Sequence, residues 1–105
     1  MAVAFLFEGA GISAENYDGV MRAIGRESVD AEDPDGMISH IAGPTSSGWR
    51  VIDVWESEEQ AGRFYGTEGF QKAIAANVPG ITPDAWPLHR IEVVKTVKAA
   101  GAGTS

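Results

Sequence analysis

The chain has 105 residues, a formal net charge of −7 and no cysteine. A single domain of this size buries roughly 60 to 65% of its unfolded surface, so it has little room for a large internal ligand cavity. The absence of cysteine excludes disulfides, thiolate catalysis and cysteine-ligated metal clusters. The negative charge disfavours nucleic acid as a partner.

The N-terminal apolar run, residues 2–8, predicts a first strand. It is far shorter than the roughly 18 residues of a membrane helix, and it lacks the basic segment of a signal peptide. These features predict a cytoplasmic protein without a membrane partner. Ser13 can cap a helix over residues 14–24, with Tyr17 on its apolar stripe, and the acidic residues 26–36 predict a loop.

The middle of the chain predicts a hairpin followed by a broken helix. Residues 37–42 and 49–56 have strand patterns and are joined by the GPTSSG connection. Ser57 then caps a helix whose first turn is acidic, as the helix dipole favours. Glycines and a second capping residue divide this helix into residues 58–66 and 68–77.

The C-terminal part predicts a proline-rich loop, residues 79–87, a last strand, residues 88–97, and a frayed tail, residues 98–105. One domain would therefore occupy residues 1–97. The order strand, helix, strand, strand, helix, strand is typical of an α+β, ferredoxin-like βαββαβ domain, in which two helices cover one face of a four-stranded antiparallel sheet. The uncovered apolar face predicts a homodimer.

The stretch PDGMISHIAGPTSSGWRVIDVWESEEQAGRFY resembles the antibiotic biosynthesis monooxygenase-like (ABM) domains of the dimeric α+β barrel superfamily. The resemblance extends over residues 2–96. It implies a dimeric α+β barrel and a cofactor-independent monooxygenase acting on a planar aromatic or polyketide-like substrate. The haem-degrading branch carries a histidine and a tryptophan on the second helix, where this sequence has Ile74 and Phe64. Haem degradation is therefore not implied.

His40 and Asp53 are the candidate catalytic residues. If Ala42 faces Trp49 in the hairpin, His40 pairs with Val51 and becomes a diagonal neighbour of Asp53 on the same face. The carboxylate would then orient the imidazole as a general base for an acidic phenol or 1,3-dicarbonyl. In the other interpretation, both residues only form hydrogen bonds within the sheet or one of them faces solvent. A slip of one residue would separate them.

Aromatic side chains provide the candidate substrate-binding surface, because aromatic rings stack on planar ligands. They are Trp49, Trp55, Phe64 and Tyr65. The same residue types are also typical of helix-on-sheet packing. We expect a division in which Phe64 and Phe70 belong to the core, while Trp55 and Tyr65 reach the pocket.

Three functions stay open at this point. They are a cofactor-free monooxygenase, a cyclase or isomerase that uses the same base, and a non-catalytic protein that binds a hydrophobic small molecule. No cofactor is expected, and a metal is not expected because the two histidines lack HxH or HxxxH spacing. His89, on the last predicted strand, is expected at the surface or in a dimer contact.

Overall fold

The computed structural model describes residues 1–95. Within them the elements are, in chain order, β1 (Val3–Ala10), α1 (Ala14–Ala23), β2 (Met37–Pro44), β3 (Gly48–Trp55), α2 (Glu58–Tyr65), α3 (Glu68–Asn77) and β4 (Asp84–Pro87). Capping side chains explain where the helices begin. Ser13, Ser57 and Thr67 each accept a hydrogen bond from the backbone N–H three residues later, at 3.2 to 3.3 Å. The predicted break of the second helix is therefore confirmed.

The four strands form one antiparallel sheet in the order β2-β3-β1-β4. The helices pack on one face of it. The buried members of the cluster between the sheet and α2 are Val3, Phe5, Phe7, Trp55 and Ala61. A second cluster joins α1 to α3 through Val20, Ala73 and Val78. The predicted α+β, ferredoxin-like architecture is confirmed. No helix within residues 1–95 is long and apolar enough to cross a membrane.

The last strand lies earlier in the chain than the sequence predicts. β4 pairs with β1 so that Trp86 faces Ala4 and Pro87 faces Val3. A proline is tolerated there because β4 is at the edge of the sheet. Residues 88–95 form no strand, since residues 84–87 already occupy this edge of β1. The prediction of a strand over residues 88–97 is wrong for 88–95, and its last two residues lie outside the described residues.

The register of the β2–β3 hairpin differs from the predicted one by two residues. Pro44, rather than Ala42, faces Trp49, and His40 consequently faces Asp53 directly instead of being its diagonal neighbour. Because side chains alternate with a period of two along a strand, this shift keeps the side chains of β2 from Ser39 onward on their predicted faces. The error in register therefore did not change which residues meet.

A bulge interrupts β2 near its start. Met37 faces Trp55, and Ser39 faces Val54, which is adjacent to Trp55 in the chain. Ile38 is therefore an extra residue in β2 without a partner in β3. As a result, Met37 and His40 lie on the same face of the sheet although they are three positions apart.

The sheet face opposite the helices is also apolar. By alternation with the core-facing positions of the paired strands, it carries Ala4, Leu6, Ile41, Ile52, Val54 and Trp86. Ile41 is 61% exposed and Trp86 is 41% exposed. Such an exposed apolar surface is typical of an interaction site.

Candidate active site

His40 and Asp53 are in direct contact between the sheet and the helices. His40 Nδ1 lies 2.6 Å from Asp53 Oδ1. The Asp53 side chain is 6% exposed and that of His40 is 20% exposed, so water is largely kept from both. An ionised carboxylate can only accept a hydrogen bond, so in the neutral tautomer that suits it the ring carries its proton on Nδ1 and Nε2 is an acceptor.

Tyr17, on α1, binds the other nitrogen of His40. Its hydroxyl lies 2.6 Å from Nε2 and donates to it in the tautomer described above. The two rings are nearly parallel, with centroids 5.9 Å apart. Burial, and then the charge of Asp53, raises the pKa of Tyr17 to about 12. The phenol therefore stays protonated at neutral pH and can act as a hydrogen-bond donor.

Sequence reasoning missed this role of Tyr17, because it treated the residue as part of an apolar helix stripe. A signal was available. A buried tyrosine hydroxyl needs a polar partner, and His40 is a polar residue on the sheet face that α1 covers.

The second oxygen of Asp53 is held from α2. The Tyr65 hydroxyl donates to Asp53 Oδ2 at 2.7 Å, and Trp55 Nε1 donates to the Tyr65 oxygen at 2.9 Å. Burial, and then Asp53, raises the pKa of Tyr65, so this phenol also stays protonated. Both carboxylate oxygens are thus fixed by donors, and Asp53 can position His40 without rotating.

A cavity of about 70 Å³ lies between the sheet and the helices, next to this hydrogen-bonded chain. Its polar groups come from Tyr17, His40, Asp53, Arg26 and Trp49. The rest of the wall is apolar and consists of Phe7, Ile12, Val20, Met21, Ile24, Met37, Val51, Phe64, Phe70, Ile74, Val78 and Ile81. An apolar cavity with a few convergent polar groups is the usual form of a small-molecule site.

The predicted aromatic residues divide differently from the expectation. Trp49 and Phe64 line the cavity, and so does Phe70. Trp55 is completely buried, and the Tyr65 hydroxyl donates to Asp53 Oδ2. Neither residue is part of the cavity wall. The expected placement of Trp55 and Tyr65 at the pocket is therefore wrong, because both extend into the core next to α2. Their contribution to the site is to hold Asp53.

Within residues 1–95, no contact joins His89 to this site. It follows β4 in an exposed bend rather than lying on a strand, which corrects its predicted position. Among residues 1–95, no group of three His, Cys, Asp or Glu side chains is arranged to hold a metal ion.

No protein-family model matches the chain, and no curated protein matches it. Solved structures do match it. A candidate antibiotic biosynthesis monooxygenase from Chloroflexus aurantiacus has a TM-score of 0.61 at 14% identity, over 90% of this chain and 100% of that one. SnoaB, a cofactor-independent oxygenase from Streptomyces nogalater, has a TM-score of 0.59 in a mutant form at 18% identity, over 90% and 98% of the two chains.

The fold is that of the antibiotic biosynthesis monooxygenase-like proteins. A dimeric protein from Bacteroides fragilis with a ferredoxin-like fold also matches, with a TM-score of 0.53 at 8% identity over 83% of this chain and 95% of that one. This likeness concerns the fold and does not define a reaction, since one fold hosts many activities.

Proposed function

We propose that this protein is a cofactor-free enzyme of the monooxygenase type that removes a proton from an acidic phenol or 1,3-dicarbonyl compound. The observation that carries the proposal is the buried chain of Tyr17, His40 and Asp53, which ends at an apolar cavity. The ABM-like fold supports it, because SnoaB has that fold and is a cofactor-independent oxygenase.

The proton would travel along this chain. Tyr17 occupies His40 Nε2, so the substrate hydroxyl gives its proton to the Tyr17 oxygen while Tyr17 passes its own proton to Nε2. Asp53, already bound to Nδ1, stabilises the imidazolium that forms. Because the pKa of Tyr17 is raised by burial, a free Tyr17 phenolate is unfavourable and the two transfers would be coupled.

Deprotonation would make the substrate electron-rich enough to react with dioxygen. The resulting carbanion passes an electron to dioxygen, and the two radicals then combine. Overall, the CH₂ carbon of a 1,3-dicarbonyl loses its two hydrogens and becomes a carbonyl carbon, and a ring C–H carbon of a phenol becomes a quinone carbonyl carbon with loss of that hydrogen and of the hydroxyl hydrogen. One oxygen atom of dioxygen enters the product, and the other leaves as water with the two hydrogens. The protein supplies the base and a cavity that excludes bulk water.

The cavity volume favours a substrate with a single ring. About 70 Å³ is small beside the roughly 300 to 1,000 Å³ of pockets for drug-sized ligands. A polycyclic polyketide would require the helices to move farther from the sheet than a substituted phenol would.

Deprotonation and oxygenation can be tested separately on a panel of one-ring phenols, hydroquinones and 1,3-dicarbonyls. We expect the wild type to speed exchange of the methylene hydrogens of the 1,3-dicarbonyls in deuterated water under nitrogen, and to consume dioxygen with members of the panel under air. Exchange without oxygen consumption would instead favour a cyclase or isomerase. Neither exchange nor consumption would favour a protein that only binds a small molecule.

The homodimer is the second part of the proposal. The apolar face away from the helices exposes Ile41 and Trp86, and apolar side chains continue after β4, where Val93 is 71% exposed and Val94 is 89% exposed. A second copy of the chain would cover this surface.

We expect sedimentation at micromolar concentration to give about twice the chain mass of 11.1 kDa. Ile41→Glu should produce a monomer, because it would bury a charge in the interface. Val29→Glu introduces the same charge at a residue that is 48% exposed in the loop before β2, and as the control it should stay dimeric. A monomeric wild type would contradict the dimer.

A further inference from the structure

Two buried N–H groups, each on a residue that lines the cavity, have no hydrogen-bond partner within residues 1–95. They are Arg26 Nε and Trp49 Nε1. A buried polar group without a partner costs free energy comparable to a lost hydrogen bond, so such groups are rare in folded proteins. Since both residues line the cavity, an acceptor atom of a bound ligand is a candidate partner for these N–H groups.

The Arg26 side chain is held in place although this nitrogen is unpaired. Its Nη2 donates to Asp33 Oδ1 at 2.9 Å, and only 13% of the side chain is exposed. A guanidinium has five N–H donors in a fixed plane, so Asp33 can orient it while Nε stays available. The loop before β2 thus places the guanidinium of Arg26 beside a largely apolar cavity wall.

Trp49, which carries the second N–H group, lies on β3. Its ring packs against Tyr17, with centroids 5.4 Å apart. Arg26 also acts on Tyr17, because its charge opposes the rise in the pKa of Tyr17 that burial causes. Both residues therefore lie near Tyr17, the phenol that ends the proposed proton-transfer chain.

We infer that Arg26 Nε and Trp49 Nε1 form a binding site for an anionic oxygen, which receives the phenolate or enolate oxygen of the deprotonated substrate next to Tyr17. This inference rests on the proposed function for the origin of the anion. The two donors are complementary to the charged product of proton transfer rather than to the neutral substrate. They would favour ionisation in the way that preorganised donors stabilise developing oxyanions.

The site also defines a substrate class. It requires an oxygen that becomes negative on deprotonation, so phenols and enolisable 1,3-dicarbonyls qualify, whereas hydrocarbons and ethers do not. A second charged group on the ligand would have no partner on the remaining, apolar wall. The natural ligand is therefore a compound with one acidic oxygen.

The test compares an anion with a neutral analogue of the same shape. The probes are 4-nitrophenol, measured as its coloured phenolate, and its methyl ether, 4-nitroanisole. Arg26→Met and Trp49→Phe each remove one donor and retain most of the apolar surface. We expect each variant to bind the phenolate at least about 10-fold more weakly, since a hydrogen bond to a charged group is worth about 1.5 to 3 kcal/mol. Binding of the ether should be unchanged.

Two substitutions serve as matched controls. Arg50→Met removes an arginine that is 51% exposed and bound to Glu8, and Trp86→Phe alters an exposed indole on the far side of the sheet. Both should bind the two probes as the wild type does. Circular dichroism and melting temperatures establish that all four variants are folded.

Several results would overturn the inference. They are equal affinity of the wild type for both probes, binding of neither, full phenolate affinity in the two cavity variants, and an equal loss for both probes. Because binding is measured without turnover, the two proposals fail separately. If the wild type prefers the phenolate but consumes no substrate, the proposal of an anion site is supported and the proposal of a monooxygenase is refuted. If the wild type turns over substrate but the variants bind the phenolate as the wild type does, the monooxygenase proposal is supported and the anion site is refuted.

Discussion

His40→Gln is expected to lower turnover of an acidic phenol by at least about 100-fold, because general bases contribute roughly 10² to 10⁴ in rate. The amide can still form a hydrogen bond with Asp53, which is 2.6 Å from the imidazole in the wild type. It cannot accept the proton. His40→Ala should have a similar effect on turnover. Steady-state rates and melting temperatures measured on both variants separate a catalytic role from a structural one.

Tyr17→Phe extends this test to the proton path. It removes the hydroxyl at Nε2 and keeps the ring that stacks on the imidazole. We expect a loss of turnover comparable to that of His40→Gln if protons pass through the phenol. His89→Gln, at an exposed position after β4, is the control and should retain full activity. A His40 variant with lower melting temperature but normal turnover per folded molecule would refute the general-base role.

Asp53→Ala is expected to destabilise the fold by about 3 kcal/mol, because it removes the acceptor of two buried donors. His40 Nδ1 and the Tyr65 hydroxyl would both lose their partner inside the protein. A loss of this size is a large part of the stability of a small domain. It should lower the melting temperature by roughly 12 to 24 °C.

Asp84→Ala is the matched control for this prediction. Asp84 also lies on a strand, but it is exposed at the edge of the sheet. Its replacement should change the free energy of unfolding by less than about 0.5 kcal/mol. If both alanine variants melt at the same temperature as the wild type, the carboxylate of Asp53 does not support the fold as described.

The sequence predicted the fold well because its signals are local. Ser57 caps a helix directly after an alternating strand, and Thr67 restarts it after glycine, so the elements could be placed without tertiary information. The meeting of His40 and Asp53 was also predictable. Side chains repeat every two residues along a strand, so the two-residue error in register left both on the core-facing side.

The features that could not be predicted from the sequence depend on contacts between distant parts of the chain. Tyr17 meets His40 only because α1 crosses β2, and Arg26 reaches the cavity from a loop with no periodicity. The position of β4 was missed for a related reason. The valine-rich residues after Pro87 have a stronger strand propensity than residues 84–87, but pairing with β1 determines which segment forms the strand.

Because of the bulge at Ile38, a one-residue deletion has different effects at the start of β2 and in the rest of the strand. Deleting Ile38 would leave a regular ladder in which Met37 still faces Trp55 and His40 still faces Asp53. Deleting Ile41 instead would move His40 to the opposite face of the sheet. Changes in chain length before Ser39 can therefore be absorbed without separating His40 from Asp53, whereas the spacing between His40 and the hairpin turn must stay constant.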